Sequence, residues 1–283
     1  MLLPDAVIRR LEGATVLDRI GEPLRSVASR LVRPRIVRNL LSGSNLGHPL
    51  HPLLTDLPIG AWTMAELLDA IGGKAAAPAA DLLVGAGIVA AVPTAATGAN
   101  DWSDTYGEET RVGLVHAAAN VTALSLYVSS LIARRRGRRA GGKALGLAGF
   151  SVLLAGGYLG GYLSFVKGVN VNHTAFEHGP EDWTAVLPDA ELGAGQHRKV
   201  LAGDVPMLLV RTDAGLRALA NTCTHAGGPL DEGRIVDGCV VCPWHGSTFH
   251  LADGAIERGP ASTRQPSYAT RVRDGQIEVR AER

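Results

Sequence analysis

Three long stretches without a charged side chain constrain the fold of this chain more than any other feature. They are residues 82–100, 112–133 and 144–166, with 19, 22 and 23 residues. An α-helix needs about 20 predominantly apolar residues to cross the hydrocarbon core of a bilayer. A shorter apolar stretch, Leu57–Gly72, contains Glu66 and Asp69, and we expect it to form a helical pair with the next stretch. The sequence therefore predicts an all-α four-helix transmembrane bundle over residues 46–172.

Small residues in the last stretch predict close contact with another helix. The chain has 35 glycines and only 5% aromatic residues, which is typical of closely packed membrane helices. Two overlapping G-x-x-x-G patterns occur there, and their residues are Gly156, Gly160, Gly157 and Gly161. These glycines are candidates for packing within the bundle or for contacts between copies of the chain. The alternative is a set of soluble, alanine-rich helices.

Residues 1–45 are predicted to form a basic amphipathic helical segment in two pieces, because apolar residues recur at three- and four-residue spacing. Pro23 and Pro34 are expected to interrupt it. The second piece has no acidic residue and five arginines, which are Arg25, Arg30, Arg33, Arg35 and Arg38. Such a helix either lies on an anionic membrane surface or packs, solvated, on its own domain. The net charge of +1 gives no indication of nucleic-acid binding.

The character of the chain changes after Asn172. Residues 173–180 are predicted to be a linker, and residues 181–283 a small all-β domain. "VPMLLVR" is a β-type run, and alternating runs flank Asp274-Gly275, a dipeptide typical of a tight hairpin turn.

All three cysteines lie within this β domain, where two of them pair with histidines. Cys223-x-His225 is followed, after sixteen residues, by Cys242-x-x-His245. Two short Cys–His pairs separated by a loop are the pattern of a metal site on two facing loops. Tetrahedral zinc is one candidate, although zinc sites usually group cysteines with cysteines and histidines with histidines. A [2Fe–2S] cluster with two Cys on one iron and two His on the other is the second, and the mixed pairs fit it better.

The two loops, "CTHAGGPL" and "CPWHGSTF", resemble the cluster-binding loops of the Rieske ferredoxin family. The downstream "DGAIERGPA" and the final hairpin are similar too, so the resemblance covers about residues 181–283. It implies an all-β antiparallel sandwich with one [2Fe–2S] cluster. It also implies that Cys223 and Cys242 bind the inner iron, and His225 and His245 the outer one.

Neighbouring residues are expected to shape this site. Pro243 would preset the second loop, Gly246 would let backbone N–H groups approach the sulfides, and Ser247 would donate a hydrogen bond to a sulfide. Cys239 is interpreted as a small core residue and not as a ligand.

Three positions indicate the branch of the family. High-potential members carry an additional cysteine in each loop, joined as a disulfide, and a tyrosine after the second loop. Gly228, Trp244 and Phe249 stand at those positions here. The resemblance therefore implies the ferredoxin-type branch, which has a lower potential.

The function expected from these features is the transfer of single electrons between a redox partner and a membrane carrier or second redox protein. Large Rieske oxygenases need a further domain with mononuclear iron, and only 38 residues follow His245. One alternative is a subunit of a quinol- or haem-using membrane oxidoreductase. Another is a non-redox sensor or scaffold with a structural cluster.

Histidines of the membrane half are candidates for a haem or quinone site, namely His48, His51 and His116. His48 and His51 each precede a proline, so both are expected outside a helix. The alternative is that His116 and its neighbours only form hydrogen bonds. Residues 46–172 also resemble an uncharacterised bacterial four-helix membrane family, through "GHPLHPLLTDLPIGAW", "GLVHAAAN" and "GYLGGYLSFVKGVNVN". Tyr162 stands where that family often has a histidine, which weakens the haem hypothesis.

Two basic segments make opposite predictions about the orientation of the chain in the membrane. Four spans would place both tails on one side and the loop Arg134–Lys143 on the other. The N-terminal tail and this loop are both basic, so the positive-inside rule cannot be satisfied by both. We expect a multi-pass cell-membrane protein with its β domain on the cytoplasmic side, where ferredoxin-type clusters are assembled.

Overall fold

The computed structural model describes residues 3–281, and their side chains from Ala6 onward. The chain divides into two compact units. The helical unit combines the residues up to Arg33 with Leu50–Val169, and the β unit combines Pro34–Pro49 with Asn170–Arg283. Residues 34–49 and the predicted linker 173–180 thus group with the β domain. The limits given above for a separate segment, 1–45, and for the β domain, 181–283, therefore stay predictions.

Seven α-helices occur in the described residues: α1 Leu3–Glu12, α2 Asp18–Leu31, α3 Arg35–Ser42, α4 Leu50–Ile71, α5 Ala77–Trp102, α6 Gly107–Arg135 and α7 Arg139–Phe165. All but α3 belong to the helical unit. Helices α4–α7 form a bundle in which α4 and α6 each contact both α5 and α7. By length and composition α5, α6 and α7 are apolar enough to cross a membrane. A fourth membrane span at α4 remains a prediction.

Two expectations about prolines were wrong. Helix α2 continues through Pro23, which therefore does not separate two helices. Helix α4 begins at Leu50, so His51 lies inside its first turn. Pro52 is tolerated there because the first N–H groups of a helix have no partner within the helix.

The G-x-x-x-G pattern of Gly156 and Gly160 packs α7 against α6. A Cβ atom on Gly156 would lie 3.1 Å from Oδ1 of Asn120, and one on Gly160 would lie 3.0 Å from Cε1 of His116. Larger residues would therefore push the helices apart. A Cβ atom on Gly157 would meet no atom within 4 Å, so a contact between copies of the chain at this pattern stays a prediction.

Charged residues form a buried network at the end of the bundle that holds the α6–α7 connection. The Arg134 side chain has no exposed surface, and it pairs with Asp69 of α4 and, at 3.1 Å, with Asp81 of α5. Arg139 pairs with the same two carboxylates at 2.8 and 2.9 Å. Asp69, one of the two acidic residues of the first apolar stretch, thus neutralises two arginines of the basic loop together with Asp81.

The described part of the β unit contains ten strands: β1 Thr184–Pro188, β2 His197–Ala202, β3 Val205–Thr212, β4 Gly215–Ala220, β5 Arg234–Val236, β6 Cys239–Val241, β7 Thr248–His250, β8 Ile256–Arg258, β9 Ser267–Arg273 and β10 Gln276–Ala281. They form an antiparallel six-stranded sheet, ordered β1-β10-β9-β4-β3-β2, and an antiparallel four-stranded sheet, ordered β5-β6-β7-β8. The predicted hairpin joins β9 to β10, with positive φ angles of 50° at Asp274 and 74° at Gly275. The all-β prediction for this half is confirmed.

Candidate metal centre

Two loops with the same backbone geometry carry the predicted ligands. Loop 1 (residues 223–229) follows β4, and loop 2 (residues 242–247) joins β6 to β7. In each loop the cysteine N–H donates to the carbonyl five residues later. Cys223 donates to Gly228 at 2.9 Å, and Cys242 donates to Ser247 at 2.8 Å. The fourth residue along is a glycine with φ above 70°, and its N–H donates back to the cysteine carbonyl. Both cysteines are therefore held in equivalent tight turns, which glycine permits.

The two thiols face each other inside the domain. Cys223 and Cys242 are 1% and 3% exposed, and their thiols interact with each other. This interaction raises the pKa of Cys223 and, with the N–H groups of Trp244 and His245, lowers the pKa of Cys242 to about 7. The Cys223 sulfur likewise accepts from the N–H groups of His225 and Ala226. Each sulfur thus lies in a set of backbone donors that stabilises a thiolate, the form that binds metal.

The two imidazoles form the second pair of donors. The rings of His225 and His245 lie 5.0 Å apart, edge to face, with Nδ1 of both shielded from solvent. Burial, then the nearby His245 and Arg38, lower the pKa of His225 to about 3, so the neutral form that binds metal is favoured. Within residues 3–281, no three His, Cys, Asp or Glu side chains are grouped around one ion position. The four donors are arranged as a thiol pair and an imidazole pair, which fits a cluster with two protein ligands on each iron.

Gly228 leaves the space in which the loops approach each other. A Cβ atom at this position would lie 2.9 Å from Sγ of Cys242 and 3.0 Å from the Trp244 ring. Cys223, Cys239 and Cys242 are all free thiols. The third of them, Cys239, is 5% exposed, and its sulfur lies 3.4 Å from Nδ1 of His250.

Polar groups of loop 2 are tied to the segment that follows β8. Ser247 is fully buried, and its Oγ accepts a hydrogen bond from the N–H of Ala261 at 3.0 Å. Arg258 donates to the carbonyl of Gly246 at 3.1 Å. Pro243, in contrast, is exposed. Arg258, at the end of β8, and Ala261 therefore hold loop 2 in place.

Gln265 supports loop 1 and was not expected from the sequence. Its Nε2 donates to the carbonyls of Ala220 and Thr222, and its Oε1 accepts from the N–H of Thr224. The side chain is 1% exposed. A single glutamine before a strand gives no periodic signal, so only the fold reveals this role.

Two of the three candidate histidines, His51 and His116, lie in the helical unit and interact electrostatically. His48 belongs to the β unit and is exposed. In the helical unit, Nδ1 of His51 lies 3.1 Å from both the Thr94 carbonyl and the Thr97 hydroxyl. Nδ1 of His116 lies 2.8 Å from the Gly156 carbonyl, and Asn120 donates to its Nε2 at 3.1 Å. These contacts favour the hydrogen-bonding interpretation, and a haem or quinone site here stays a prediction.

Two family models match the chain, one in each half. Residues 182–269 match the Rieske [2Fe–2S] domain. Residues 47–173 match the predicted membrane protein family DUF2231. The first 46 residues lie outside both matches.

Similar proteins match the β half. The ferredoxin subunit of anthranilate 1,2-dioxygenase from Burkholderia cepacia is 35% identical over 79 residues, which is 28% of this chain and 73% of that protein. Ferredoxin CarAc from Metapseudomonas resinovorans is 26% identical over 102 residues, 36% of this chain and 95% of that protein. Apoptosis-inducing factor 3 from Homo sapiens is 34% identical over 97 residues, 34% of this chain. The matched part spans only 16% of the human protein.

Proposed function

Since this chain belongs to the Rieske [2Fe–2S] family through its β domain and carries a DUF2231 domain before it, we propose that it is a membrane-anchored one-electron carrier. Its Rieske domain binds a [2Fe–2S] cluster and is homologous to ferredoxin components of oxygenase systems. The observation that carries the proposal is the pair of equivalent turns with two facing thiols and two adjacent imidazoles. When bound, the cluster supplies a site that gains and loses one electron.

The proposed ligands are Cys223 and Cys242 for the inner iron, and His225 and His245 for the outer one. The mutual contact of the two sulfurs supports the first pair, and the 5.0 Å separation of the rings supports the second. Backbone N–H groups around each sulfur hold the thiolates in place. Such groups also tune the reduction potential of a cluster.

The electron is proposed to enter or leave on the side of His225. A small surface pocket lies against this residue, and Asn172, Thr224 and Ser262 are among the residues that line it. A partner at this edge would come close to the outer iron without entering the core of the domain. We propose a redox protein, such as an oxygenase component, or a membrane quinone as that partner.

The chain is proposed to be a multi-pass membrane protein with α4 as the fourth span. Support comes from the three apolar helices and from the close packing of α4 on α5 and α7. An exposed apolar stripe on α2, which includes Ile20, Leu24 and Leu31, supports contact of this basic helix with the lipid surface. We place the β domain on the cytoplasmic side, which fusions of alkaline phosphatase or a fluorescent protein to the C-terminus would test.

Single-turnover electron transfer tests the proposed function. Full-length protein in detergent is reduced by a flavoprotein reductase with NADH and then mixed with oxidised cytochrome c. We expect one electron per chain to pass to the cytochrome. Reduction by quinol together with a haem absorption band would instead support the oxidoreductase subunit. A cluster that no donor reduces and no acceptor oxidises would support the sensor or scaffold.

A further inference from the structure

Helix α3 docks onto the Rieske domain although it lies outside both family matches. Asn39 accepts from the N–H of Gly259 at 2.8 Å and donates to the carbonyl of Glu257 at 3.1 Å. Beyond the helix, Ser44 donates to the carbonyl of Ala261 at 2.7 Å. Arg35 forms an ion pair with the Glu257 carboxylate. The helix is therefore anchored along the segment that supports loop 2.

The polarity of α3 is inverted relative to an ordinary surface helix. Arg38 and Ser42, one turn apart on the same face, are only 4% and 3% exposed. Ile36 and Leu40, on the opposite side, are 79% and 64% exposed. Burying a guanidinium while exposing isoleucine and leucine is unfavourable for packing alone. The arrangement indicates that the buried position of the Arg38 guanidinium has a role other than packing.

The buried face of α3 is linked to loop 2 through the segment on which the helix docks. A Cβ atom placed on Gly259 would lie 3.4 Å from the Ser42 side chain. The face of the helix that carries Arg38 and Ser42 therefore packs against residues 257–261. That segment in turn bonds loop 2 through Ala261 and Ser247.

We propose that Arg38 is a positioning residue that raises the reduction potential of the cluster, and that α3 is the built-in element that holds it there. The inference rests on the proposed ligand set. One electron from a donor protein makes the site one unit more negative, no bond breaks, and the electron later passes to the acceptor. A fixed positive charge nearby stabilises the reduced form more than the oxidised form. At an effective dielectric constant of about 20, a unit charge about 12 Å from the cluster changes the reduction equilibrium about tenfold, or about 59 mV for one electron.

Redox titrations of full-length variants, followed by EPR, test this inference. We expect Arg38→Gln and Arg38→Met to lower the midpoint potential by about 59 mV, and Arg38→Lys to retain most of the wild-type value. Arg35→Gln is the matched control, because it removes an exposed charge and one docking contact on the same helix. It should leave the potential nearly unchanged.

The EPR spin count separates the possible failures. A wild-type protein without the reduced-cluster signal would contradict the proposed function itself. A normal signal with unchanged potentials in both neutral variants would overturn the role of Arg38 alone. An equal shift in Arg35→Gln would overturn it too, because docking and not the buried charge would then set the potential. If Arg38→Lys assembled a cluster and neither neutral variant did, the charge would be needed for assembly, which also contradicts the tuning role.

Discussion

The Ser247 hydroxyl oxygen accepts a hydrogen bond from the backbone N–H of Ala261 at 3.0 Å. Because this bond uses a lone pair of the oxygen, the hydroxyl proton stays available to donate. The residue is fully buried beside Cys242, whose N–H donates to the Ser247 carbonyl. The bond from Ala261 thus fixes the orientation of the Ser247 hydroxyl and leaves its proton free to be donated to a cluster sulfide.

Replacing Ser247 by alanine is expected to lower the midpoint potential. A hydrogen bond to sulfide strengthens when the added electron makes the sulfide more negative. Its loss should cost the reduced form about 1–2 kcal/mol, which is roughly 40–90 mV for a one-electron couple. Redox titration followed by EPR measures this shift, and Ser247→Thr, which keeps the hydroxyl, is the control. An unchanged potential in Ser247→Ala would show that this hydroxyl does not interact with the cluster.

Gly228→Ala is expected to abolish most of the cluster content. The new methyl group would lie 2.9 Å from the Cys242 sulfur and 3.0 Å from the Trp244 ring, so the loops could not close around the site. Iron and acid-labile sulfide analysis of the purified protein measures the loss. Gly238→Ala is the control: its φ of 73° makes it strained by about 1–2 kcal/mol, but its Cβ would contact nothing within 4 Å. Gly228 itself has no positive φ, so equal cluster loss in both variants would attribute the effect to general destabilisation of the domain and not to loop contact.

Stability of the β domain is expected to fall in alkaline solution because of Tyr268. This phenol lies in the core with 7% exposure, and burial raises its pKa to about 12. Below pH 10 it is neutral in both the folded and the unfolded chain, so its full contribution is present. Between pH 10 and about 12 the unfolded chain ionises first, which removes about 2–3 kcal/mol of stability. Urea unfolding across this range should show a weaker pH dependence for Tyr268→Phe, and identical slopes would contradict this origin.

Removing the Arg134 side chain is expected to destabilise the helical bundle. Arg134→Ala would leave the Asp69 carboxylate, whose side chain is 5% exposed, without its most buried partner. Arg139 and Lys143 still pair with Asp69, so we expect a loss smaller than the about 3–5 kcal/mol of a fully unpaired buried charge. Unfolding in SDS, followed by helical circular dichroism, compares it with Arg135→Ala, which removes an exposed arginine of the same turn. Similar midpoints for the two variants would mean that water screens the network.

The two loops of the proposed cysteine–histidine site could be predicted from the sequence because the pattern that encodes them is local. A glycine follows each proposed cysteine ligand at the fourth position, Gly227 and Gly246, and this spacing encodes the turn directly. The hairpin at Asp274 and Gly275 is local in the same way.

Features that depend on distant contacts could not be predicted. Gln265 and Arg38 act through tertiary contacts, and neither belongs to a periodic pattern. Arg38 was counted among the cations of a basic helix, because helical spacing does not say which face of a short helix becomes buried. Asp69 was recognised as atypical for a membrane span, but its partner Arg134 lies 65 residues away in the sequence.

Pulsed EPR on the reduced full-length protein tests the central claim most directly. We expect a half-integer-spin [2Fe–2S] signal coupled to two histidine nitrogens in the wild type. His225→Cys or His245→Cys should remove one of the two couplings or the cluster itself, whereas His250→Ala should keep both. A signal without two nitrogen couplings, or a wild-type protein that binds zinc and gives no signal, would contradict the assignment of Cys223, His225, Cys242 and His245 as cluster ligands.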